Sequence, residues 1–116
     1  MKLPDPLSRR HLLDRALEPA KALALAKRYL EDGREVEAID FLAVARAGSN
    51  EEAREALVSL RDEALERGDV FLMRVSSRAL DEEPSQRTWQ ALADAASRAG
   101  RSKDAETAQR LAAVDG

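Results

Sequence analysis

Three isolated glycines at regular intervals constrain this chain more than any other feature of its sequence. Gly33, Gly68 and Gly100 are 35 and 32 residues apart, and each lies between two segments whose apolar residues recur with helical periodicity. Glycine commonly ends helices because it takes the left-handed conformation at no steric cost. The spacing therefore predicts a helix pair around each glycine, repeated with a period of about 34 residues.

The apolar periodicity predicts about seven helices joined by short linkers. We expect an N-terminal helix over about residues 6–17 and three helix pairs over about 19–48, 50–81 and 85–114. Because such short linkers cannot cross a domain, sequential helices should be antiparallel. β-branched residues are sparse and few segments alternate with period two, so strands are not expected. The chain is predicted to be one all-α domain, residues 1–116, of stacked antiparallel helix pairs.

Local signals refine the predicted helix ends and faces. Gly48 is expected to end the second helix of the first pair, and Asn50 to cap the helix that follows. A helix over about residues 69–80 follows Gly68. Its apolar spacing predicts an inward face made of Phe71, Leu72, Val75 and Ala79.

The helix pairs carry a family resemblance. The third pair reads Trp89-x-x-Leu92-Ala93-x-x-Ala96-x-x-x-Gly100-x-x-x-x-Ala105, which is similar to the tetratricopeptide (TPR) pattern W-x-x-L-G-x-x-Y followed by an alanine. The first pair has matching residues at Ala22, Leu25, Ala26, Tyr29, Gly33, Ala38, either Phe41 or Leu42, and Ala45. The chain therefore resembles TPR proteins over residues 20–113. This resemblance implies an α-solenoid, in which the helix pairs stack side by side.

The second pair departs from the family pattern. Arg61 stands where a small residue is expected, and Met73 and Ser77 stand where the family prefers alanine and a bulky residue. This pair is expected to be splayed, shifted in register or packed differently. A generic helical bundle with coincidentally spaced glycines stays open as an alternative, and a HEAT-like repeat fits less well because its period is about 40 to 47 residues.

The residues required for most catalytic sites are missing from the sequence. Cysteine is absent, and the one histidine, His11, follows Arg9 and Arg10, where a surface side chain is the simpler interpretation. Paired carboxylates such as Glu51-Glu52 lie near helix starts, where they offset the helix dipole, or in linkers. No glycine-rich phosphate loop is present. We therefore predict no enzymatic activity, no cofactor and no metal, and a packing role for Trp89.

Charge and hydropathy exclude two further classes of partner. Nineteen basic and 22 acidic residues are interleaved along the chain, giving a net charge of −3 without a basic stripe for nucleic-acid phosphates. No apolar run is long enough to cross a membrane, and the N-terminus lacks a signal-peptide core. We expect a cytoplasmic protein that binds neither nucleic acid nor membranes.

Protein recognition is the function that the resemblance implies. The first helices of stacked TPR pairs line a concave groove that holds a peptide or a helix. The residues that match the groove positions of the family are Leu23, Lys27, Leu30, Glu55, Val58, Asp62, Glu66, Arg87, Gln90, Asp94 and Arg98. They include no Lys/Arg clamp for a terminal carboxylate.

A structural role is the alternative function. We expect no further helix to cover the last one, whose apolar residues are Ala105, Ala108, Leu111, Ala112 and Val114. Uncovered solenoid ends tend to associate, so this helix is expected to pair with a second copy in a homodimer, at least partly at micromolar concentration.

Overall fold

The structure is a computed structural model that describes residues 17–113. Within this range all regular structure is helical and no strand occurs, which confirms the all-α prediction. The six helices are α1 (Pro19–Glu31), α2 (Glu35–Ala47), α3 (Glu51–Arg67), α4 (Val70–Ala79), α5 (Gln86–Arg98) and α6 (Ser102–Ala113). Except for its final residue, the helix expected over about residues 6–17 lies outside the described residues.

Contacts between Cα atoms group the chain into two compact units. One ends at Leu57 and the other begins at Val58. In the first unit α1 packs against α2, and in the second α5 packs against α6. Three-residue turns connect the two helices of each pair, as expected for antiparallel neighbours. That the whole chain forms a single domain stays a prediction.

The three regularly spaced glycines all end helices in the same way. Their φ angles are 73°, 70° and 75°, in the left-handed region. In each turn the residue that follows the glycine donates its backbone N–H to a carbonyl oxygen, and that carbonyl belongs to the residue four positions before the glycine. These bonds are Arg34 to Tyr29 at 2.9 Å, Asp69 to Ala64 at 2.9 Å and Arg101 to Ala96 at 2.8 Å. Each turn is thus a Schellman motif, and the helix ends predicted at these glycines are confirmed.

Gly68 is constrained by packing as well as by its backbone angle. A Cβ atom at this position would lie 2.7 Å from the Cβ of Ala96 on α5, and closer still to the backbone of that residue. At Gly33 and Gly100 the same atom would meet nothing within 4 Å. The turn between α3 and α4 therefore approaches α5 in a way that only glycine allows.

The structure confirms that Gly48 ends α2. Gly48 is its C-cap, but with φ −86° it is not left-handed, and Ser49 takes that conformation instead, with φ 66°. Gly48 is needed for space, because a Cβ there would crowd the ring of Pro19. The predicted cap of α3 is confirmed: the Asn50 side-chain oxygen accepts the Ala53 N–H at 2.9 Å.

Small residues in the helix pairs leave room for a few large ones. In the first unit the rings of Tyr29 and Phe41 stack with centroids 5.5 Å apart, and the Arg34 guanidinium lies 5.1 Å from the Tyr29 centroid. In the second unit Trp89 and Leu92 are buried, which confirms the predicted packing role of Trp89. The alanines buried across the α1–α2 and α5–α6 pairs are Ala22, Ala26, Ala38, Ala45, Ala93, Ala95, Ala96, Ala105, Ala108 and Ala112.

The buried face of α4 is not the predicted one. Phe71 was expected to face inward but is 59% exposed, and Val75 and Ala79 are half-buried. Of the predicted face only Leu72 is buried. The other buried residues of α4 are Val70, Met73, Ser76 and Ser77. The two serines are buried without loss of hydrogen bonding, because Ser76 Oγ donates to the Leu72 carbonyl at 2.7 Å and Ser77 Oγ contacts the sulfur of Met73.

The helices within residues 17–113 are each too short or too polar to cross a lipid bilayer.

Candidate functional site

In the unit that ends at Leu57, four of the predicted groove residues lie at the surface. Leu23, Lys27 and Leu30 are on α1, and Glu55 is on α3. None is buried: the two leucines are half-buried, and Lys27 and Glu55 are exposed. Lys27 forms an ion pair with Glu52 at the start of α3. Part of this surface is thus already neutralised by an internal pair.

The other seven predicted residues lie in the unit that begins at Val58. Val58 is half-buried, and the remaining six are exposed. On α3 they are Val58, Asp62 and Glu66, and on α5 they are Arg87, Gln90, Asp94 and Arg98.

Charges on these two helices are largely available to a partner. Within residues 17–113, Glu66, Arg87 and Arg98 form no ion pair. The Gln90 side-chain amide lies 3.5 Å from the Asp94 carboxylate, at the limit of a hydrogen bond. A charge without an internal partner can pair with a binding partner without first breaking an ion pair, and each such surface pair is worth about 0–1 kcal/mol. The surface is acidic along α3 and mainly basic along α5.

A cavity of about 350 Å³ lies beside α3, α4 and the α4–α5 linker, and Thr88 is the one residue of α5 in its lining. Asp62 is the one predicted groove residue in its lining. The rest of the lining, grouped by element, is Arg61 and Leu65 of α3, Met73 and Ser77 of α4, Glu82, Glu83, Pro84 and Ser85 of the α4–α5 linker, and Thr88 of α5. Seven of the ten lining side chains are polar or charged, and Leu65, Met73 and Pro84 provide the apolar part of the lining.

Two departures from the TPR pattern shape this cavity. Ser77 is buried where the family prefers a bulky side chain, so less volume is filled beside α3. The Arg61 side chain is 28% exposed and ion-pairs with Glu82 of the linker, and its Nη2 atom also lies 3.6 Å from Asp62 Oδ1. Arg61 is accommodated because its guanidinium is directed to these carboxylates.

A second cavity, of about 450 Å³, lies beside the same linker. Trp89 and Leu111 provide apolar surface, and Arg74 and Arg78 of α4 lie at its side. Ser77 lines this cavity too. This cavity does not follow from the sequence pattern, which predicts a packing role for Trp89. The usable signal was Ser77 itself, a small residue at a position expected to be bulky.

The described residues contain no group of three or more His, Cys, Asp or Glu side chains placed to hold a metal ion. His11, the one histidine, lies outside them.

No known protein family, no curated protein and no solved structure matches this chain. The TPR resemblance therefore depends on the residues alone.

Proposed function

We propose that this chain is a non-catalytic protein-interaction module of the TPR type, which binds a peptide or a helix of another protein along α3 and α5. The observation that carries the proposal is the 350 Å³ cavity beside α3, which Thr88 of α5 also lines. The helices α3 and α5 are the first helices of the second and third predicted pairs, the position of the binding groove in TPR proteins.

Equivalent burial around the three glycines supports the proposed repeat. Four residues before each glycine the side chain is fully buried, at Tyr29, Ala64 and Ala96. Five residues after it the side chain is also buried, at Ala38, Met73 and Ala105. Eight residues after it the buried side chains are Phe41, Ser76 and Ala108. A bundle with coincidental glycines would not be expected to bury the same offsets in all three pairs.

The partner is expected to present both signs of charge. A segment lying along α3 meets Asp62 and Glu66, and one lying along α5 meets Arg87 and Arg98. Paired charges of this kind fix register and orientation more than they raise affinity. The cavity beside Asp62 then receives one side chain of the segment. In the unit that ends at Leu57, we propose that a bound segment contacts Leu23, Lys27, Leu30 and Glu55.

The alternative function, assembly through the last helix, is less well supported. The alanines Ala105, Ala108 and Ala112 are buried, Leu111 is half-buried, and Val114 lies outside the described residues. The exposed side of α6 is polar, with Lys103, Glu106 and Arg110. An interface between copies through α6 would need more exposed apolar area than this side offers.

Charge reversal on α5 tests the proposed groove. Asp94→Arg combined with Arg98→Glu inverts both charges while keeping the net charge, and we expect it to abolish capture of the partner from a lysate. The helical melting curve should not change, because both positions are exposed. Partners are identified by mass spectrometry, and their binding is then measured with purified proteins by calorimetry.

The α6 helix offers a matched control. Glu106→Arg with Arg110→Glu makes the same inversion at the same spacing on another exposed helix face. Capture that survives in the control and is lost in the α5 variant supports the proposal. Equal capture by both variants and the native chain excludes Asp94 and Arg98 from the binding site.

A further inference from the structure

The cavity beside α3 and the α4–α5 linker, about 350 Å³ in volume, has an excess of negative charge. Its lining holds one basic residue, Arg61, and three acidic ones, Asp62, Glu82 and Glu83. Arg61 ion-pairs with Glu82 and also approaches Asp62. Because one guanidinium balances the charge of one carboxylate, two negative charges of this lining are left without compensation.

The basic residues of the neighbouring 450 Å³ cavity do not reverse this balance. Arg74 and Arg78 line that cavity together with Asp81, and none of the three lines the cavity beside α3. The negative excess remains even when both linings are counted as one surface. Such a surface holds three arginines, Arg61, Arg74 and Arg78, and four carboxylates, those of Asp62, Asp81, Glu82 and Glu83.

The apolar and the acidic side chains of the cavity beside α3 differ in exposure. Met73 is 1% exposed, and Leu65 and Pro84 are half-buried. Asp62 and Glu83, by contrast, are exposed. The apolar surface thus lies inside, and the carboxylates lie at the solvent edge. Lysine and arginine match this arrangement, because their methylene stems pack on apolar surface while the charged end stays near water.

Ser77 adds a hydrogen-bond acceptor to the inner part of the lining. It is 2% exposed, and its hydroxyl has one contact, with the Met73 sulfur at 3.5 Å. Within residues 17–113 no group donates a hydrogen bond to its oxygen. Buried hydroxyls generally form stronger hydrogen bonds than one to a sulfur. An occupant with N–H donors, as lysine and arginine have, supplies one.

Other side chains fit this lining less well. An acidic side chain would bring a further negative charge to a lining that already has too many, and like charges across an interface are costly. A purely apolar side chain could contact Leu65 and Met73. It would, however, displace water from the carboxylates without replacing the lost hydrogen bonds.

We propose that the cavity beside α3 receives a lysine or arginine side chain of the bound segment. This inference rests on the proposed function, because it names the side chain that the groove along α3 and α5 selects. The stem of the side chain contacts Leu65, Met73 and Pro84. Its charged end pairs with Asp62 and Glu83.

Selection from a random peptide library is the test. A phage-displayed library of peptides of about 12 residues is selected on the full chain at about 150 mM salt, which partly screens non-specific attraction between charges. We expect the selected peptides to share a lysine or arginine at one position. Norleucine at that position keeps the apolar stem of lysine without its charge. It should weaken binding about three- to tenfold in calorimetry, the effect of one or two surface ion pairs.

Variants of the chain locate these ion pairs. Asp62→Asn with Glu83→Gln should weaken binding of the selected peptide about three- to tenfold, and should not weaken binding of the norleucine peptide, which has no charge to lose. The matched control, Asp32→Asn with Glu106→Gln, removes the same charge at two exposed positions outside the cavity lining and should have little effect on either peptide. Circular dichroism verifies that each variant is folded.

The outcomes separate this inference from the proposed function. Selected peptides that shift the amide signals of Asp62 and Thr88, yet bind equally well with norleucine, would overturn the inference and leave the groove in place. Equal losses of affinity in the cavity variant and in the control would overturn it as well, since binding would then follow net charge alone. If no peptide of the library binds the chain, the proposed groove and this inference are both wrong.

Discussion

Gly68 is the residue for which the structure makes the sharpest energetic prediction. Gly68→Ala must strain a left-handed backbone and also place a methyl group against the backbone of Ala96. We expect it to lower the free energy of unfolding by more than about 3 kcal/mol, because overpacking adds to the conformational cost. Chemical denaturation followed by circular dichroism measures the loss.

Gly100→Ala is the control for this prediction. Its backbone angle is nearly the same, but its added methyl group meets nothing within 4 Å, so the expected loss is about 1 kcal/mol. Similar losses for the two variants would contradict the close approach of the α3–α4 turn to α5.

At the residue scale the sequence predicts conformation better than packing. Left-handed turns at Gly33, Gly68 and Gly100 follow from glycine between two amphipathic segments. The crowding at Gly68 depends on Ala96, 28 residues further along, and no local signal reveals it. At the end of α2 the left-handed residue is Ser49, and Gly48 is needed because the ring of Pro19 leaves no room for a side chain there.

At the scale of the element, α4 shows why periodicity alone fails. The apolar residues of α4 are compatible with two overlapping helix faces. The face that is buried includes two polar residues, Ser76 and Ser77. Serine can be buried on a helix because its hydroxyl bonds to the backbone of the preceding turn, as that of Ser76 does with Leu72. The offset from the glycine gives the correct face, since Met73 follows Gly68 as Ala38 follows Gly33.

Ser77 provides the prediction at this scale. It is buried and lines both cavities, and its hydroxyl has only a long contact to the Met73 sulfur. Ser77→Val adds apolar volume where little hydrogen bonding is lost, so we expect stability to rise by about 0.5 to 2 kcal/mol. Thermal and denaturant unfolding measure the gain.

The same variant should reduce access to Trp89. Acrylamide quenching of its fluorescence is expected to fall in Ser77→Val, because the larger side chain narrows the cavity that Trp89 lines. Ser97→Val, at an exposed position of α5, is the control and should alter neither quantity. A destabilised Ser77→Val with unchanged quenching would show that the space beside Ser77 cannot accept the added methyl groups.

At the scale of the whole molecule, oligomeric state separates the two proposed functions. The apolar residues of the last helix suggest a dimer, but the structure buries its alanines and exposes Lys103, Glu106 and Arg110. We therefore expect a monomer in size-exclusion chromatography with light scattering, up to the highest soluble concentration. A stable dimer that Glu106→Arg with Arg110→Glu dissociates would favour the assembly function instead.

The surface location of the proposed groove residues follows from the sequence better than the shape of the cavities does. Exposure of six of the seven residues on α3 and α5, all but the half-buried Val58, follows from helical phase, which the glycines and the Trp89 pattern define. The cavities do not follow from phase, because they depend on Ser77, on the direction of the Arg61 side chain and on the α4–α5 linker. Side-chain direction and missing volume are tertiary properties, which a single sequence leaves open.

The most direct test of the central proposal is to map the binding surface by NMR. A segment of the partner identified by capture is titrated into the ¹⁵N-labelled chain, and amide shifts are followed. We predict saturable shifts along α3 and α5, at Asp62, Leu65, Thr88, Gln90 and Asp94. Shifts confined to the exposed side of α6, with these five amides unmoved at saturation, would contradict it.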